Sequence, residues 1–75
     1  MYKQLDPLFF DIEVRGKSLD QISARFGEPC HMQKTGALML YIWRQGENGQ
    51  YFMALLFQND ICLDRFDEGI DPQRI

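Results

Sequence analysis

Apolar residues crowd the second half of the chain in three runs, ALMLYIW at 37–43, YFMALLF at 51–57 and ICLDRF at 61–66. Runs of this length, dense in β-branched, aromatic and long apolar side chains and bounded by turn formers, predict strands. Gly46-Glu47-Asn48-Gly49 separates the first two runs and Gln58-Asn59-Asp60 the last two. Asn-Gly is a strong hairpin signal because both residues tolerate the positive φ of a two-residue turn. The pattern therefore predicts a three-stranded antiparallel meander turning at Asn48-Gly49 and Asn59-Asp60. In that register Ile42 lies opposite Leu55, and Leu40 opposite Phe57. Because side chains alternate across a strand, one face should carry Leu38, Leu40, Ile42, Tyr51, Met53, Leu55, Phe57 and Cys62. The other should carry Met39, Tyr41, Trp43, Phe52, Ala54, Leu56, Ile61 and Leu63.

Both predicted faces are apolar, whereas an antiparallel sheet with one wet face alternates apolar and polar positions. One layer of helices covers one face, so a second molecule is expected on the other. Two short helices precede the sheet. Asp6-Pro7 reads as an N-cap and first helical residue, with Leu8, Phe9 and Ile12 on one stripe and an end at Val14 before Gly16. Ser18-Leu19-Asp20-Gln21 is a capping box opening a helix over 19–26. Leu19, Ile22 and Phe26 form its apolar stripe, Gly27 ends it and Pro29 prevents resumption. The segment 30–34 reads as a polar edge strand in which Lys34 discourages further pairing. Helices followed by strands make an α+β domain, with two short helices on one face of a three- or four-stranded antiparallel meander. Residues 1–5 form a leader, 6–66 the core and 67–75 a loose tail.

Seventy-five residues make one small domain with a limited core. The net charge is −3 and basic residues are scattered, which argues against phosphate-backbone binding and so against nucleic acid. The late acids Asp60, Asp64, Asp67, Glu68 and Asp71 read as a solvated sheet end and tail. The start lacks the apolar core of a signal peptide, and the longest apolar run is too short to span a bilayer. A cytoplasmic protein without membrane insertion is expected, unless a leader has been removed. Cys30 and Cys62 are expected as reduced, buried thiols.

Phe10-Asp11-Ile12-Glu13-Val14-Arg15-Gly16-Lys17-Ser18-Leu19-Asp20-Gln21-Ile22, followed by Phe26-Gly27-Glu28-Pro29, resembles the helix–Gly–helix–Gly-x-Pro signature of the SmpA/OmlA (BamE-like) domain family. Tyr41-x-Trp43, and Phe57 followed by an Asn-containing turn and Cys62, look like that family's later strands. The arrangement is also similar to one half of the β-lactamase inhibitor protein. The resemblance spans roughly residues 8–66. It implies a binding scaffold without catalysis, in which the sheet face away from the helices contacts a partner. Outer-membrane members carry a lipid-accepting cysteine near the start. None stands there in this chain, so the envelope function is not carried over.

Candidate chemistry is sparse. Cys30-His31 sits on an extended segment where neighbours point to opposite sides, so His31 reads as a surface histidine at a strand start and the pair not as a thiol–imidazole nucleophile. Cys30, His31, Cys62 and Asp64 lack metal-ligand spacing, and Asp64-x-x-Asp67-Glu68-Gly69 lacks that of a calcium loop. No cofactor or metal is expected, and the chain is read as non-enzymatic. Met39, Tyr41, Trp43 and Phe52, with Arg44 and Arg65 at the rim, are the predicted partner-binding residues, since aromatic, Met and Arg side chains concentrate at interface centres. The partner is another protein or, alternatively, a second copy forming a homodimer through the same face or an edge strand.

Overall fold

The computed structural model describes residues 3–70, the last four by backbone alone. The elements run α1 (Leu19–Phe26), β1 (His31–Thr35), β2 (Leu38–Gln45), β3 (Tyr51–Gln58) and β4 (Ile61–Ile70). The strands form one antiparallel sheet in the order β1-β2-β3-β4, so the fold is α+β.

Helix α1 has the predicted boundaries, and its capping box is closed. Ser18 Oγ accepts the Gln21 amide at 3.2 Å, and Gln21 Oε1 accepts the Ser18 amide at 2.9 Å. Asp20 occupies the first turn and Arg25 the last, each matching the helix dipole. At the far end the Gly27 amide bonds Ser23 O at 2.8 Å. Ile22 and Phe26, one turn apart, are buried against the sheet.

The other predicted helix, Asp6 to Val14, is replaced by tight turns over residues 7–11 and an irregular stretch over 12–14. Its start is as expected, since Asp6 Oδ1 accepts the Leu8 amide at 2.9 Å. The chain then fails to propagate a helix because its carbonyls are captured from afar. Arg65 donates to Phe9 O at 2.6 Å and to Ile12 O at 3.0 Å, the carbonyls that further helical turns would use. The Gly16 amide is taken by Cys62 O at 2.8 Å. Phe9 and Val14 still reach the core, at 0% and 1% exposure. The first residues also do more than lead in, because Lys3 O accepts the Gly46 amide at 2.7 Å beside β2.

The sheet differs from the predicted register by one residue. Gln45 pairs with Tyr51, so residues 46–50 form a five-residue loop instead of a two-residue Asn48-Gly49 turn. Gly46 and Gly49 stand at φ +96° and +65°, and a Cβ on Gly46 would meet Tyr51 Cδ2 at 2.7 Å. Glycine at both ends makes the longer loop accessible, with the Gly49 amide bonding Gly46 O at 3.2 Å. The slip turns every β2 side chain over relative to β3. The inner face, under α1 and the N-terminal turns, carries Tyr41, Trp43, Met53, Leu55, Phe57 and Cys62, with Met39 and Tyr51 at its margin. Leu40, Ile42 and Arg44 join Phe52, Ala54 and Leu56 on the outer face, as their pairings Leu40↔Leu56, Ile42↔Ala54 and Arg44↔Phe52 require.

The β3–β4 turn is the predicted one, with Asn59 and Asp60 at φ 53° and 65°, conformations these two residue types adopt more readily than most. β4 continues to Ile70, so the stretch 67–70 expected in the tail is strand; residues 71–75 lie outside the described residues. Phe57 pairs with Cys62 but Leu56 with Asp64, and Leu55 pairs with Arg65 but Ala54 with Asp67. Leu63 and Phe66 are thus skipped as bulges. The first bulge puts Arg65 on the same face as Cys62, three residues away, and so delivers its guanidinium to the N-terminal turns.

Candidate interaction face

The outer face carries a contiguous row of half-buried apolar residues, while the most exposed large apolar side chains, Met32, Phe66 and Leu63, lie on the outer strands β1 and β4. Leu38, Leu40, Ile42, Phe52 and Leu56 are half-buried there, and no helix or loop among the described residues lies over them. Their partial burial comes from one another, across the Leu40↔Leu56 and Ile42↔Ala54 pairs. Ala54 is only 3% exposed, a small residue flanked by Phe52 and Leu56 on its own strand and paired with Ile42 on β2. It makes a low point in the centre. The guanidinium of Arg44 lies 5.5 Å from the Phe52 ring centroid, and its Nη1 donates to Gly49 O at 3.3 Å. Cation and ring are thereby preset at one end of the face.

The predicted contact residues are divided between the two faces. Tyr41 and Trp43, at 8% and 1% exposure, are core residues. The Trp43 indole packs on Tyr41 and Phe57, and its Nε1 donates to Gly27 O at 2.7 Å, tying β2 to the end of α1. Met39 packs against the same core from its edge. Arg65 is also turned inward, onto the Phe9 and Ile12 carbonyls. Of the six, Phe52 and Arg44 alone lie on the outer face. Leu40, Ile42, Ala54 and Leu56 were assigned elsewhere or passed over. Gly46 permits the longer loop but does not exclude the shorter one, so no signal in the sequence placed them.

Titratable groups are tied to structure. The Arg25 guanidinium holds the Asp6 carboxyl below the usual aspartate range through bonds of 2.9 Å, helped by the Leu8 amide. Asp64 is likewise lowered, by the Arg65 amide at 2.8 Å and then by Arg15 at 3.2 Å. Burial pushes the Cys62 thiol up. Both thiols are free; Cys62 is buried as expected, whereas Cys30, also expected inside, is exposed ahead of the edge strand β1. Among the described residues no cluster of three His, Cys, Asp or Glu side chains is placed to hold a metal, and no helix is long and apolar enough to cross a membrane.

No protein-family profile, characterised protein or solved structure matches this chain.

Proposed function

We propose that the chain is a non-catalytic protein-binding or inhibitory module whose contact surface is the outer face of its sheet. One observation carries the reading: Leu40, Ile42, Phe52 and Leu56 form an apolar stripe that no other described element covers. Monomeric proteins seldom leave such stripes bare. Already half-buried, these four side chains would each gain on the order of 1 kcal/mol on full burial. Association costs about 4 kcal/mol or more in lost freedom, so the partner must bring comparable apolar surface. A large side chain seated over Ala54 would supply it, with an acidic or carbonyl group meeting Arg44 at the rim.

Membership of the BamE-like domains is part of this proposal. It is supported by the capped helix ending in Phe26-Gly27-Glu28-Pro29 and by the antiparallel meander that follows. The turns at 7–11, where a helix would stand, depart from the two-helix pattern.

Leu56→Asp tests the reading, because it places a charge mid-face without touching the buried cluster. Wild-type chain used as bait in a lysate of the source cell should retain a stoichiometric partner that Leu56→Asp loses, while backbone amide resonances show that the variant keeps the fold at a lower urea midpoint, since its carboxylate stands opposite Asp64. Retention of that partner by Leu56→Asp would exclude the face. A dimer of the isolated chain that persists on tenfold dilution in light scattering, and is abolished by the substitution, would instead assign the face to self-association.

A further inference from the structure

Strand β1 ends the sheet, and all five of its residues, His31 to Thr35, are exposed. Its inner edge pairs with β2, and its outer edge has no strand opposite it among the described residues. Beside that edge, on the inner side of the sheet, runs a groove of about 350 Å³ between α1 and β1. Leu19, Pro29, Met32 and Tyr41 give it an apolar lining, with Met32 64% exposed, and Glu28, Cys30 and His31 complete it. Met32 lies opposite Tyr41 and Lys34 opposite Met39, so Met32 and Lys34 share the groove face two residues apart.

We infer that β1 and this groove form a second binding site, independent of the outer face, for an extended peptide that adds to the sheet as a fifth strand. The edge defines the ligand's backbone, because an unpaired strand edge is satisfied by another extended main chain. The groove defines one side chain, an apolar residue opposite Met32 that enters beside Leu19 and Tyr41. Lys34 defines another. Its ammonium opposes pairing with an ordinary apolar strand, and an acidic residue opposite it removes that opposition. Positions opposite Met32 and Lys34 are two apart on the ligand and point to one face. The recognised element is thus an extended segment with an acidic and an apolar residue at i and i+2.

The test is selection of a phage-displayed library of random linear peptides on the full chain. Enriched peptides should share that spacing and should shift backbone amide resonances at 31–35 while leaving 52–56 unmoved. Lys34→Glu, at an exposed position, should bind the selected peptides about tenfold more weakly, and its own selection should enrich Lys or Arg at the acidic position. Leu56→Asp should bind them like wild type, which separates this site from the outer face. The inference is overturned if nothing is enriched, if the enriched peptides move 52–56 instead, if Lys34→Glu selects the same motif, or if β1 pairs with β1 of a second copy.

Discussion

Trp43 is held at both ends. Its ring is closed over by Tyr41 and Phe57, and its one polar atom is matched by Gly27 O. Removing the ring leaves a cavity and an unanswered carbonyl together. Trp43→Ala is expected to cost about 3–5 kcal/mol, a large part of the stability a domain of this size can have. Trp43→Phe retains most of the volume and loses the hydrogen bond, for about 1–2 kcal/mol. Urea unfolding of both variants checks the order; midpoints equal to wild type would contradict the core assignment. A sequence shows that β2 alternates two apolar sets but not which set faces inward. Both sets, Tyr41-Trp43 and Leu40-Ile42, are apolar enough for either place. The decision lay in the loop, where two glycines fit a two-residue or a five-residue connection equally well.

At the level of elements, what was legible was local. The capping box at Ser18, the terminator Gly27 and the turn at Asn59-Asp60 are each settled within a few residues, and the edge strand before Gly36 pairs with the strand next in the chain. The segment after Pro7 was not legible, because its conformation is decided by Arg65, 56 residues from Phe9 and 53 from Ile12. Delivery of that guanidinium depends in turn on the bulge at Leu63, which no turn-forming residue announces. Arg65→Met keeps the apolar stem and removes the donors to two carbonyls. A loss of about 1–3 kcal/mol is expected, measured by urea unfolding, with faster amide exchange at residues 9–16. Wild-type exchange there would mean that packing of Phe9 and Val14 suffices to hold the turns.

The molecule as a whole is closed by its least regular part. Phe9 and Val14 complete the core, and the segment bearing them is fastened at its flanks by ion pairs, Asp6 to Arg25 on α1 and Arg15 to Asp64 on β4. Both carboxylates are lowered in the folded state. A carboxylate with a depressed folded pKa adds stability that is present above its unfolded value, about 3.9, and is lost as pH falls through the folded value. Acid should therefore loosen the N-terminal segment before the sheet, because each fastener joins it to another element through a carboxylate, while the strands are held to one another by backbone hydrogen bonds, which do not titrate. Wild type is expected to hold a level urea midpoint from neutral pH to the carboxylate range and to fall below it. Asp6→Asn should begin lower at neutral pH and fall less steeply in acid, converging on wild type once Asp6 would be protonated. Amide exchange should place the acid-induced opening at residues 3–17, with β2 and β3 protected longest. A parallel decline of the two chains would remove Asp6 as a fastener, and simultaneous opening of β2 would mean that the segment and the sheet unfold as one unit.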